Sequence, residues 1–216
     1  MDVEALLELE EQFEEYAALC KCGMRTVLAR IENLQDEIEL SNERNIYDVI
    51  ISRIKLFDHT IDKLDRKNLE HNIEAIKANI RDIAGIRIIT LFKDDVYKIR
   101  DALIKQPSME VLEERDYIKN PKETGYRSYH LIVAMHIYFR ERAISVPVEI
   151  QIRTKNEDNW ASLEHHTRYK NEFLSDADMS EESIAKRDKM LQELSDEYDR
   201  FDDLMIQLRD TYTKPQ

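Results

Sequence analysis

The apolar residues of this chain change period twice along its length, and that change limits the fold more than any other feature. Near the amino end Leu6, Leu9, Phe13, Tyr16 and Leu19 recur every three or four residues, followed after Gly23 by Val27, Ile31, Leu34 and Ile38. This is the spacing of a helix face, and it predicts two consecutive helices or one interrupted helix. Near the other end Leu191, Leu194, Tyr198, Phe201, Met205 and Leu208 keep the same step. Such a narrow seam seeks another helix, from the same chain or from a second copy. Between them GIRIITLF at 85–92, RSYHLIVAMHIYF at 127–139 and ISVPVEIQIRT at 144–154 are β-branched, apolar or alternating. They predict three strands of one sheet. Helical patterns at about 58–70, 72–83, 93–105 and 155–173 separate or flank them. The expected class is α+β, a mixed sheet flanked by helices with long helical extensions at both ends. The expected units are a helical region at 1–49, a core at 50–173 and a packing or oligomerisation helix in 174–216.

Composition narrows the chemistry. Only Gly23, Gly85 and Gly125 occur, where average usage of about 7% would give roughly fifteen. A Walker loop or a dinucleotide fingerprint needs several glycines within a few residues, so both are excluded and phosphate binding falls to side chains. Lys+Arg 32 against Asp+Glu 45 gives a net charge of −13. That disfavours a long nucleic-acid contact, which needs surface cations to neutralise phosphates. The amino terminus is acidic where a secretory signal is basic, and each apolar run is broken before a membrane-spanning length. A cytoplasmic protein without membrane contact is expected. Cys20 and Cys22 are too few for a disulfide framework and lack a nearby His, which favours reduced thiols over a zinc site.

Four segments carry candidate chemistry. In VEIQIRT a period of two sends Val148, Ile150 and Ile152 to one face and Glu149, Gln151 and Arg153 to the other. A solvated strand has the same pattern, but a carboxylate, an amide and a guanidinium in fixed register can address a metal, a base edge and a phosphate. Asp82 stands where a helical pattern gives way to DIAGIR, with Arg87 in the strand that follows. Alone it is a turn residue; paired with Glu149 it supplies two oxygen ligands, enough to hold Mg²⁺ while substrate phosphates complete its shell. ERDYIKNPKETGYRSYH sets Arg115, Lys119, Lys122 and Arg127 around an Asn-Pro and Gly125 turn, followed by Tyr126 and His130. A tyrosine among cations is a nucleotide clamp, since every base has a π-face. Finally, ISRIKLFDHTIDKLDRK carries Arg53, Lys55, Lys63, Arg66 and Lys67, with 63, 66 and 67 on one helix face. Interleaved Asp58, Asp62 and Asp65 allow a self-paired solvated helix, yet grouped cations in so acidic a chain point to a polyanion pocket.

Taken in order, SRIK at 52–55 with the later K..RK, DIAGIRI at 82–88, YIKNPKETGYRSYH at 117–130, and VEIQIRT followed by WASLEHHTRYK at 148–170 resemble the RelA/SpoT-type (p)ppGpp synthetases. The likeness is specifically to the single-domain small alarmone synthetases. The resemblance implies a synthetase core of nucleotidyltransferase-like type. It implies transfer of the β,γ-pyrophosphate of ATP to the ribose 3′-hydroxyl of GDP or GTP, without a hydrolase half. Carried over by position, Arg53, Lys55, Lys63, Arg66, Arg87 and Arg115 would hold ATP, and Asp82 and Glu149 would hold Mg²⁺. Glu149 would also take the hydroxyl proton. Lys122, Tyr126, His130, Gln151, Arg153 and Asp158 would hold the acceptor, with Tyr126 stacked on guanine and Glu164 in a second line. The sequence departs from the family pattern at Leu56 and His59, and at Asp158, where some relatives have Asn. The family precedent is a homotetramer. Two rival readings stay open: the same transfer to adenosine nucleotides or the tRNA 3′ end, and a non-catalytic nucleotide-binding scaffold.

Overall fold

Gly23 does not interrupt the amino-terminal helix. In the computed structural model, which describes residues 3–40, 44–169 and 180–212, α1 runs unbroken over Val3–Leu40. A Cβ on Gly23 would lie 2.4 Å from Val146 Cγ2 and 3.6 Å from Val148 Cγ2. The glycine is therefore a point of close approach between helix and sheet, at a cost of about 1 kcal/mol in helix propensity. Phe13, Cys20, Met24, Val27 and Ile31 are buried on the same helix. Gly23→Leu is expected to overpack this contact, destabilise the protein by about 1–3 kcal/mol and lower its thermal midpoint. An unchanged midpoint would show that α1 can slide away from the sheet.

The sheet has five strands where three are expected. They are β1 (Val49–Ile54), β2 (Ala84–Thr90), β3 (Met109–Asp116), β4 (Tyr129–Phe139) and β5 (Arg142–Thr154), in the order β1-β2-β5-β4-β3. The β2–β5 pair is parallel and the others are antiparallel. The two unexpected strands are the edges. β1 is mostly exposed, and β3, MEVLEERD, is rich in carboxylates and has an irregular register between Val111 and Glu113. Edge strands carry charge and bulges because these discourage further pairing, and the same features erase the apolar alternation from which strands are read.

The helices are α2 (Phe57–Arg66), α3 (Ile73–Asn79), α4 (Lys93–Ile104), α5 (Lys155–Tyr169) and α6 (Glu181–Tyr212). The helical pattern at 72–83 gives only α3, started by Asn72, whose side chain accepts from the Ala75 N–H at 2.7 Å. Its remainder leads into β2. The last residues of the 155–173 pattern, 170–173, lie outside the described residues. One core joins α1 and α4 to Ile86, Ile88, Leu131, Val133, Val148, Ile150 and Ile152. With that face of the sheet covered, the opposite face is left for polar groups.

The α6 seam is covered by its own chain at one end and exposed at the other: Leu191 is buried, while Phe201 is 53% and Leu208 60% exposed. The helix also docks through polar residues, Ser195 and Asp202, which are 2% and 1% exposed. Among the described residues no helix is long and apolar enough to cross a membrane.

Candidate active site

Strand register builds the site. Ile51, Arg87, Gln151, His130 and Arg115 are successive partners across the sheet. Two residues along, so do Arg53, Gly85, Glu149, Ile132 and Glu113. Residues two apart share a face, so one polar surface holds Arg53, Arg87, Glu149, Gln151, His130 and Arg115. Gly85 sits between Arg53 and Glu149, and a Cβ there would meet nothing closer than Arg53 Cγ at 3.9 Å. This opening is the floor of a pocket lined by Arg53, Asp82, Gly85, Arg87, Glu149 and Gln151.

Asp82 enters that pocket from the segment just before β2. Its Oδ2 accepts from Lys63 Nζ of α2 at 2.7 Å and from Lys55 Nζ, just past β1. Burial works to raise its pKa, but the two ammonium groups outweigh it, and the carboxyl titrates below the ordinary range. For Lys55 burial wins over the attraction of Asp82, and its pKa is lowered. The other oxygen, Asp82 Oδ1, is buried with no hydrogen-bond partner.

Glu149 belongs to a ring of polar contacts. Its Oε2 accepts from Gln151 Nε2 at 3.0 Å, and its Oε1 lies 3.5 Å from His130 Nδ1. His130 Nε2 is 2.9 Å from the Tyr126 hydroxyl, which accepts from Arg153 at 3.1 Å. Arg153 also donates to Gln151 Oε1 at 2.5 Å. Because Arg153 can only donate, Gln151 presents its oxygen to Arg153 and its amide nitrogen to Glu149. Burial pushes the Glu149 pKa up, the His130 hydrogen bond and charge pull it down, repulsion from Asp82 raises it again, and the net shift is downward. Both acids are thus ionised at neutral pH. An orphaned Oδ1 in a pocket that also holds the Glu149 carboxylate, with cations around the pair, fits a divalent cation that takes two protein oxygens and completes its shell from phosphates. Among the described residues no cluster of three His, Cys, Asp or Glu side chains could hold a metal by itself.

The remaining sequence candidates divide. Asp158, on α5, accepts from Arg87 at 3.2 Å and from Arg153 at 3.4 Å, holding two guanidiniums side by side. Lys122 lies 4.8 Å from the Tyr117 ring centroid and 4.7 Å from that of Tyr126, so the loop covers its own aromatic face with an ammonium that a stacked base would displace. Arg66 donates to Asp62 O of its own helix and stands outside the pocket. Arg115 shares the row of His130 but pairs with Glu113 and is largely exposed. Neither Tyr117, which meets His130 edge-on, nor Trp160 stood out in the sequence.

A second acid pair lies behind the site. Thr154 and Glu157 cap α5 reciprocally, the Thr154 N–H donating to Glu157 Oε2 and the Glu157 N–H to Thr154 Oγ1, a capping box written as T-x-x-E. Asp202 of α6 accepts from the Thr154 hydroxyl at 2.7 Å and from Asn156 at 2.6 Å. Burial, with repulsion from Asp202, pushes Glu157 up to about 8 against the pull of the Thr154 N–H, Arg153 and Lys93. A group with a raised folded pKa contributes stability that is complete below its unfolded pKa and is lost as pH rises through the folded value. The denaturation midpoint is therefore expected to fall between about pH 5 and 8, and Glu157→Gln should flatten that fall. A parallel decline in both proteins would refute the assignment.

Comparison with known proteins is consistent with this geometry. A family model described as the region found in RelA / SpoT proteins matches residues 52–173. The GTP pyrophosphokinase YwaC of Bacillus subtilis is 36% identical over 160 residues, covering 74% of this chain and 76% of that protein. The GTP pyrophosphokinase YjbM of the same organism is 31% identical over 162 residues, covering 74% and 75%. Among solved structures, the small alarmone synthetase 1 from Bacillus subtilis bound to its product pppGpp superposes with a TM-score of 0.81 at 27% identity, covering 94% of this chain and 100% of that one.

Proposed function

We propose a reaction from the premise that the chain belongs to the RelA/SpoT family and has the architecture of its small alarmone synthetases. It is a GTP pyrophosphokinase that moves the β,γ-pyrophosphate of ATP to the ribose 3′-hydroxyl of GDP or GTP, making (p)ppGpp and AMP. The observation that carries the reading is the convergence of Asp82 and Glu149 on one pocket with Arg53, Arg87 and Gln151. A non-catalytic scaffold has no use for two ionised carboxylates held against this much positive charge.

The chemistry divides among the residues by charge. Arg53 and Arg87 line the pocket where the donor triphosphate would lie, Lys55 and Lys63 stand beside it on Asp82, and guanidiniums suit phosphate oxygens geometrically. Tyr126, Lys122, His130, Gln151 and Arg153 would hold the acceptor. Asp82 and Glu149 would hold Mg²⁺, which when bound neutralises phosphate charge and polarises the transferred group. The acceptor 3′-oxygen bonds to the β-phosphorus, the bond from that phosphorus to the α,β-bridging oxygen breaks, and its electron pair leaves with AMP. The hydroxyl proton passes to Glu149. A carboxylate below its ordinary pKa is a modest base, so positioning and electrostatic stabilisation supply most of the acceleration, as phosphoryl-type transfer generally requires.

An acceptor panel tests the assignment. With ATP and Mg²⁺, GDP and GTP should give AMP and a 3′-pyrophosphorylated guanosine nucleotide; preferential modification of adenosine nucleotides or of the tRNA 3′ end would replace the proposed acceptor. The exposed row Phe201, Leu204, Leu208 and Tyr212 on α6 supports self-association, for which a homotetramer is the proposed form. A monomer by light scattering at micromolar concentration would refute the oligomer.

A further inference from the structure

Tyr126 is fastened on both sides to a helix that reaches the site from nearly seventy residues downstream. On one side Ser195 Oγ of α6 donates to Gly125 O at 2.6 Å. On the other, Arg127 donates to Ser195 Oγ at 3.2 Å and to Asp196 at 3.2 Å, with Asp199 at 3.7 Å. Arg127 also donates to Ile118 O at 2.9 Å, clasping the start of the loop to its end. Beneath the tyrosine, Trp160 donates to Leu191 O of α6 at 2.7 Å, and its ring centroid is 6.4 Å from that of Tyr126.

The fit is close as well as polar. Gly125 has φ +91, a conformation that favours glycine, and a Cβ there would meet Ser195 Cβ at 3.0 Å and Trp160 at 3.3 Å. The loop turns back on itself through Gly125 N–H to Lys122 O at 2.8 Å and Lys122 N–H to Tyr126 O at 3.2 Å. The position of Tyr126 is thus fixed by its own short turn and by α6. Its hydroxyl in turn contacts His130, beside Glu149, and Arg153, which orients Gln151 and with it a donor on Glu149.

We propose that Ser195 and Arg127 are positioning residues for the nucleotide acceptor, making α6 a structural wall of the acceptor site in addition to any part it takes in assembly. This rests on the functional reading above. Neither residue touches the donor pocket, so their loss should weaken the acceptor and leave ATP alone.

The chain's single tryptophan, Trp160, lies at this junction, so its emission can report binding without turnover. Dissociation constants for GDP alone and for ATP alone are measured by tryptophan fluorescence and checked by calorimetry. Ser195→Ala is expected to weaken GDP about threefold to tenfold, the size of a lost hydrogen bond, with ATP unchanged. Arg127→Lys, which keeps the charge but not the fork, should shift GDP in the same direction. Combined with Tyr126→Ala, Ser195→Ala should add little further, because it acts through that ring. Equal weakening of GDP and ATP, full additivity with Tyr126→Ala, or unchanged GDP affinity in both variants would overturn the proposal alone. If the unaltered protein bound no GDP at all, the functional reading would fail, and this proposal with it.

Discussion

Glu149→Gln should lower kcat by about 10²–10⁴, the range for a lost acid–base group, with ATP binding little changed. The effect is more than the removal of one charge. Gln151 already offers its amide nitrogen to Glu149 Oε2 and its oxygen to Arg153. A glutamine at 149 can accept from only one of its two neighbours, so its own nitrogen faces either Gln151 or His130. In the first case two donors meet; in the second the amide nitrogen faces His130 Nδ1 and the attraction between Glu149 and His130 is lost. Either way the ring that orients the acceptor side is disturbed with the carboxylate. Turnover within threefold of the unaltered protein would remove Glu149 from the chemistry.

Asp82→Asn should be nearly as damaging, by at least about 10²-fold, the scale for losing one element of charge stabilisation, but with a different signature. The substitution leaves Lys55 and Lys63 facing each other across a neutral group, where one carboxylate oxygen now serves both. Released from that oxygen, the lysines have more charge to offer the donor phosphates, so ATP affinity should hold or rise while kcat falls. The magnesium concentration needed for half-maximal rate should increase, since one of the two carboxylates proposed to hold the ion becomes a neutral amide. An unaltered magnesium requirement would argue that Asp82 only restrains the lysines.

The site was legible in the sequence where its residues alternate along one strand. Glu149, Gln151 and Arg153 declare a shared face by their spacing alone, and Asp82 by its place at a helix-to-strand junction. The side-by-side placement of Arg87, Gln151 and His130 is a property of register, and no local pattern reveals which strands are neighbours. β1 and β3 were hidden for a related reason: edge strands are solvated and charged, so their apolar period fades. Gly23 misled because a glycine within a helical pattern reads equally as a break or as a close approach, and only Val146 on a strand far along the chain decides between them. The docking of α6 was hidden because Ser195 and Asp202, interleaved on the face of Leu191 and Tyr198, are polar and so leave no mark on the apolar period.

The bond that breaks can be followed directly. ATP labelled at its β-phosphorus, incubated with the protein, Mg²⁺ and GDP, should pass that label to the guanosine nucleotide, with one unlabelled AMP formed for each acceptor modified. Label remaining in ADP, as in transfer of the γ-phosphate alone, or released as free pyrophosphate with no modified guanosine nucleotide, would contradict the account.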